Sequence, residues 1–189
     1  MEPRPLSPEE LVEDVRKRLT RQSYPPRPSI PGVALSEVTV ARSADGLFAE
    51  LARIDAGGGV QGLEGFRAAQ WNWSLLQPGA VKAWHLHLDQ DDLFFVPPDS
   101  ALLVGLADLR RDALAKARPV PQQLILGGGR CHRLLVPRGV AHGIANLGPT
   151  PQTVLYAVNQ FFTPDHNRTD EWRLPWDHFG AEFWSMGRG

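Results

Sequence analysis

The sequence is poor in sulfur and in net charge: it has one cysteine, two methionines, and 20 Lys and Arg against 21 Asp and Glu, for a net charge of −1 over 189 residues. A single thiol, Cys131, excludes an intrachain disulfide and a cysteine-rich zinc site. Without a basic excess there is no counterion release to drive nucleic-acid binding. No run approaches the ~18 consecutive apolar residues of a membrane span. The start of the chain is acidic and helical in pattern, unlike the basic-then-apolar layout of a signal peptide. The expectation is a cytoplasmic protein with no nucleic-acid and no membrane partner. What the chain has in excess is 18 glycines and 17 prolines, well above the roughly 12% combined average. Turn residues at that density imply many short strands. The length suits one domain with a short extension, large enough to bury a core.

Residues Ser7 to Arg21 read as a helix, with Ser7 as cap, Pro8 in the first turn and Glu10 completing a capping box. Leu11, Val12, Val15 and Leu19 then share one face, which is expected to pack on the main domain. Four prolines between Tyr24 and Gly32 make a linker. Residues 1–32 thus precede a domain spanning 33–189. In that domain short apolar runs alternate with turns: Glu37 to Ala41, Ala68 to Leu76, Val81 to Leu88, Leu93 to Val96, Ala101 to Asp108, Gln123 to Leu126, His132 to Val136 and Thr153 to Phe162. Strands this short, about ten residues apart, indicate a sandwich or barrel. Leu109 to Ala117 reads as a helical turn or loop insertion.

The most informative local pattern is Gly79-x5-His85-x-His87, followed by Asp91 and Asp92. On a strand, residues i and i+2 face one side, so His85 and His87 project together. A second cluster, Pro137-x-Gly139-x-x-His142-Gly143-x-x-Asn146, is a tight turn running into a strand. Together the two resemble the paired motifs of the cupin superfamily. That resemblance implies an all-β jelly-roll barrel with a short N-terminal helix and few other helical turns. It also implies that both histidine segments face one interior. Many cupins hold a divalent transition metal there, and the matching set is His85, His87, Asp92 and His142, groups that suit such an ion.

A longer register narrows the resemblance. Gln70-x-Asn72-x-Ser74-x4-Gly79-x2-Lys82-Ala83-x-His85, then Asp108-Leu-Arg110, Pro137-x-Gly139-x-Ala141-His142-Gly143 and Tyr156-x4-Phe161-Phe162-x-Pro164 are similar to the motifs of the dTDP-4-dehydrorhamnose 3,5-epimerases. Upstream, Gly46-x-Phe48-x-Glu50 is similar to that family's R-G-x-F-x-E. The resemblance implies an isomerase that removes a proton beside the ketone of a keto-sugar, nucleotide-linked, without an obligatory cofactor. It makes His85 the base and Tyr156 the acid, while His142 supports the oxyanion or the base. A carboxylate from the C-terminal segment orients His85, with Asp177 the leading candidate and Asp170 the other. Lys82, Asn72 and Ser74 fall at substrate-contacting positions. Phe48 and Glu50 lie in the segment that reaches the neighbouring subunit's site, which implies a symmetric homodimer.

Four departures from that pattern fall at basic positions, and three of them lose or invert a charge while Lys82 keeps its own. Lys82, Asp45, Asp92 and Ala157 stand where the family has arginine, arginine, lysine and lysine. The inversion at Asp92 is expected to face the interior within reach of His87. Two alternatives therefore stay open: a metal-dependent cupin enzyme, such as a small-molecule dioxygenase or isomerase, and a non-catalytic sugar-binding cupin. The aromatic tail, with Trp172, Trp176, Phe179, Phe183 and Trp184, is expected to pack across the barrel mouth.

Overall fold

Period-two alternation shapes the strands that carry the site. In β4 (Gln70–Leu76) the side chains of Gln70, Asn72, Ser74 and Leu76 turn inward, and those of Trp71, Trp73 and Leu75 turn outward into solvent. Two strands are buried throughout, β6 (Asp92–Val96) and β10 (Val140–Ala145). A strand buried on both faces must be covered on both sides, and the architecture supplies that cover in layers. The computed structural model describes residues 4–23, 29–111 and 119–185.

Two five-stranded antiparallel sheets face each other. The first has the order β1-β9-β6-β11-β4, with β1 at Ala34–Val38, β9 at Cys131–Val136 and β11 at Gln152–Val158. The second has the order β12-β5-β10-β7-β8, with β5 at Val81–Leu86, β7 at Ala101–Asp108, β8 at Gln122–Gly127 and β12 at Trp172–Arg173. A separate hairpin joins β2 (Val40–Ser43) to β3 (Gly46–Ala49). This is the all-β jelly-roll expected from the motifs.

Three apolar clusters hold the layers together. Between the sheets lie Leu76, Phe94, Val104, Leu126, Leu134 and Val154, among others. Each such side chain contributes roughly 1.5–3 kcal/mol when fully buried. On the outer face of the first sheet, Val60, Leu63 and Phe66, from the segment between β3 and β4, cover Leu93 and Phe95. On the outer face of the second sheet, Phe179, Phe183 and Trp184 enclose Trp84. The indoles of Trp84 and Trp184 both donate to the Trp176 carbonyl, at 3.1 and 2.8 Å. Gly105 permits this approach, because a Cβ there would sit 2.6 Å from Trp84 and 2.7 Å from Phe183 and Trp184. The aromatic tail thus packs on the outside of the second sheet and not across the mouth, while Trp172 and Trp176 stay largely exposed.

The N-terminal segment departs from the expected single helix. A 3₁₀ turn at Pro8–Glu10 is followed by Leu11 in extended geometry, and α1 is only Glu13–Arg16. Glu10 does accept the Ser7 backbone N–H, at 2.9 Å, as the capping box requires. Val12, Val15 and Leu19 are each at least half exposed. A helix of one turn without burial lacks the packing that sustains helices in proteins. Of the proposed turn or insertion at Leu109 to Ala117, residues 112–117 lie outside the described residues, as do 24–28 of the linker.

Candidate active site

A cavity of about 390 Å³ opens between the sheets. One wall is β5 and β10, bearing Lys82, His85 and His142, and the other is β4, β6 and β11, bearing Ser74, Asp92, Phe94 and Tyr156. Strict alternation would put Lys82 and His85 on opposite faces. A bulge prevents that: His85 pairs with His142 but Lys82 pairs with Ile144, so β5 spends three residues where β10 spends two. Both side chains consequently line the same cavity.

The third wall comes from the C-terminal tail. Arg173 on β12 lies opposite His85 on β5. The Asp170 carboxylate fastens this strap by accepting the backbone N–H groups of Leu88, Asp89 and Gln90 at 2.8–3.1 Å. Burial opposes ionisation of Asp170, but the three N–H donors outweigh it and hold the group below its ordinary value. Glu171 follows immediately. Its Oε1 is 3.4 Å from His85 Nδ1, and its Oε2 accepts Arg173 Nη2–H at 3.1 Å. The hydrogen bond from His85, then Arg173, pull the Glu171 carboxyl down to about 2 against the opposing effect of burial. It is therefore ionised at any working pH. With Nδ1–H donated to Glu171, His85 keeps its Nε2 lone pair for chemistry. Burial lowers the His85 pKa, as do His142 and Arg173, against the upward pull of Glu171. At neutral pH the ring is an unprotonated base.

Asp92 faces inward beside both remaining histidines. Its Oδ2 is 3.1 Å from His142 Nε2 and 3.7 Å from His87 Nε2, and its Oδ1 accepts Gln90 Nε2–H at 2.7 Å. Burial is the largest influence on Asp92 and disfavours its charge, yet His142, His87 and Gln90 together hold it below its ordinary value. His142 Nδ1 also faces a carbonyl, that of Val140, at 3.2 Å. The two ring nitrogens of His142 thus face two oxygens, one of Asp92 and one of the Val140 backbone. His87 Nδ1–H donates to the Asp170 carbonyl at 2.8 Å. Across the cavity, burial and then Asp92 and Glu171 raise the Tyr156 pKa, so its hydroxyl keeps its proton. Phe94 packs edge-on against both Tyr156 and His142.

Several expected site residues are placed elsewhere. Asp177 lies on an exposed turn outside the cavity lining, and Glu171 holds the position beside His85 that was assigned to it. The Asp177 turn is committed to packing the aromatic tail, which faces away from the cavity. Ser74 lines the cavity and accepts Lys82 Nζ–H at 2.7 Å. Asn72 faces inward opposite Tyr156 in register but spends its Oδ1 on Gln70 Nε2–H at 2.7 Å, outside the lining. Phe48, 69% exposed, stands on the β2–β3 hairpin, and Glu50 pairs with Arg53 at 2.6 Å. Neither reaches this cavity. The metal-ligand alternative is also redrawn, since His87, Asp92 and His142 have candidate ligand atoms within 4.8 Å of one another and His85 stands outside that group. Glu171, Arg173 and Gln90 belong to the site and were missed from sequence. The adjacent charges in Asp170-Glu171-x-Arg173 were the available signal.

Fold and site together define a cupin-type jelly roll with a carboxylate-oriented histidine and a facing tyrosine in one inter-sheet cavity. The chain matches the family model for dTDP-4-dehydrorhamnose 3,5-epimerase over residues 27–177, and it belongs to that family. It is 40% identical over 148 residues to the spore coat polysaccharide biosynthesis protein SpsL of Bacillus subtilis (strain 168), covering 78% of this chain and 91% of that one. The solved structure of a dTDP sugar isomerase from Desulfovibrio desulfuricans G20 superposes with a TM-score of 0.64 at 25% identity, covering 84% of this chain and 91% of that one. A 3,5-epimerase from Legionella pneumophila, solved with dTDP-4-keto-L-rhamnose, shares the fold with a TM-score of 0.65 at 21% identity, covering 85% and 82%. The protein is a sugar epimerase or isomerase, and the family works without a metal or cofactor. The metal-dependent alternative does not fit these relatives. Among the described residues no helix is long and apolar enough to cross a membrane.

Proposed function

We propose that the protein epimerises a 4-keto-sugar carried on a nucleoside diphosphate, with His85 as base and Tyr156 as acid. The observation that carries this reading is their placement: His85 stands on β5 of one sheet and Tyr156 on β11 of the other, lining one cavity from opposite walls. Inversion at a carbon beside a ketone needs a proton removed from one face and returned to the other. His85 Nε2 takes the proton, and the charge appearing on the imidazole is met by the Glu171 carboxylate behind Nδ1. The electrons move into the carbonyl to give an enolate. Tyr156, still protonated, returns a proton from the other side. Asp92 does not confront the enolate as a bare anion, because its carboxylate is engaged by His142 at 3.1 Å and accepts Gln90 Nε2–H at 2.7 Å. Among the described residues lining the cavity, Lys82 and Arg173 are the cations that favour the enolate.

We also infer a homodimer. The β2–β3 hairpin exposes Leu47 and Phe48, and β4 exposes Trp71 and Trp73 along the edge of its sheet. A second copy would cover these surfaces and bring Phe48 and Glu50 toward a neighbouring cavity. The test of the reaction is proton exchange. In deuterium oxide with dTDP-4-keto-6-deoxyglucose, the wild-type protein is expected to place deuterium at C3 or C5 of the sugar, followed by NMR. No exchange at either carbon overturns the reading.

A further inference from the structure

The family match begins at residue 27, so the N-terminal segment lies outside it. Residues 4–23 are exposed throughout, including Leu11, Val12, Val15 and Leu19, the apolar face that helical spacing builds. Charge along this segment is sorted. From residue 9 to residue 21 the four acids all lie within 9–14 and the four bases all lie within 16–21. The macrodipole favours that order within one helix, and Glu13 does pair with Lys17 at 2.7 Å. It does not account for the apolar face. A helix of this length is marginal alone, and α1 spans only Glu13–Arg16.

An antiparallel copy of the segment answers both features. With Val15 on a two-fold axis, Leu11 of one chain falls opposite Leu19 of the other, Asp14 opposite Arg16 and Glu9 opposite Arg21. Acids then meet bases at both ends while the apolar faces close on each other. We propose that residues 7–21 pair with the same segment of a second copy as an antiparallel two-helix contact, and that burying this face completes the helix. Within the segment, ion pairs form at Arg4–Glu10 and Glu13–Lys17; Glu9, Asp14, Arg16 and Arg21 are the charges this register gives to the partner. Equal numbers of acids and bases set the segment apart from helices that lie on membranes, whose polar face is rich in Lys and Arg. The contact is separate from the β2–β3 and β4 surfaces of the domain dimer and independent of the reaction.

Interchain disulfide formation in a glutathione buffer tests the contact, using full-length Val15→Cys and Leu19→Cys with the wild type as baseline, since its own Cys131 is buried. On the axis, residue 15 meets its counterpart. Residue 19 lies about 12 Å along the axis from its own, at ~1.5 Å per residue, beyond the ~7 Å reach of a disulfide. Val15→Cys is expected to crosslink at least about 10-fold more than Leu19→Cys. Adding Arg16→Glu and Arg21→Glu to Val15→Cys should lower its yield by about 10-fold, as should adding Glu9→Lys and Asp14→Lys. Co-expression of these two charge variants should restore the crosslink between them, because every facing pair is again opposite in sign. All these positions are exposed, so thermal melts should match the wild type. Equal crosslinking at the two cysteine positions overturns the proposal, as does a yield indifferent to charge reversal or not restored by co-expression. Co-sedimentation of the wild type with anionic phospholipid vesicles, without the Val15→Cys preference, gives the face to a membrane and overturns it as well.

Discussion

Exchanging the Glu171 carboxylate for an amide tests how much of the base's strength is borrowed from the tail. The perturbation is Glu171→Gln, which keeps size and removes charge. At 3.4 Å from His85 Nδ1, a full charge pair is worth about 5 kcal/mol at an effective dielectric of ~20 and about 1 kcal/mol in bulk water. The two side chains are 20% and 37% exposed, so the site lies between these limits. A proton half transferred in the transition state feels about half of that, roughly 0.6–2.5 kcal/mol, or about 3- to 70-fold in rate. The amide can also turn its N–H toward Nδ1 and select the tautomer with Nε2 protonated, carrying the loss toward the ~10²–10⁴-fold cost of losing a general base. The assay is deuterium incorporation into the keto-sugar as a function of pH. As the proposed base His85 is required unprotonated, and its pKa is held below the ordinary 6.5, chiefly by burial, so kcat/KM should rise through a limb below that pH. Glu171 is the one group raising it that Gln removes, so the limb should move to still lower pH while the plateau falls. Wild-type kcat in the variant, or a limb displaced upward, refutes this account of Glu171.

His85→Asn should fold normally and lose roughly 10²–10⁴-fold in turnover, read by the same exchange assay; an active variant removes His85 as base. Asp170→Ala leaves three backbone N–H groups of residues 88–90 without their acceptor, and a loss of about 1–3 kcal/mol in denaturant unfolding is expected, reduced by water access. Because the Asp170 pKa is lowered when folded, its contribution is present above the ordinary 3.8 and is lost as pH falls through the folded value, so wild type and variant should converge in acid. Light scattering at micromolar concentration should give the mass of a dimer, and a monomeric mass counts against the partner-completed site.

Much of the fold was readable because its signals are local. The strand runs at Ala101 to Asp108 and His132 to Val136 match β7 and come within a residue of β9, since apolar runs between turn residues carry their own boundaries. The N-terminal helix was overread. Its periodicity was present, but periodicity measures a capacity to bury a face, and Val12, Val15 and Leu19 have nothing described to bury against. The aromatic tail was recognised as packing material but assigned to the wrong surface. Which face of a sheet lacks cover depends on residues such as Gly105, whose missing Cβ opens room for Trp184 only once the sheet exists.

The site divides along the same line. His85, His142 and Tyr156 were found through their register with a known pattern, and period two placed His87 correctly. Lys82 enters the cavity through a bulge that no pleat rule reveals, because the extra residue shows only in the pairing with β10. Glu171 and Arg173 arrive from 86 residues beyond His85 in the former case, on a two-residue strand too short to announce itself. The charge inversion at Asp92 illustrates what sequence comparison alone misjudges. Taken singly, a carboxylate in place of a lysine opposes an enolate. In the folded chain its carboxylate is engaged by His142 at 3.1 Å, while Lys82 and Arg173 bring positive charge to the lining of the same cavity.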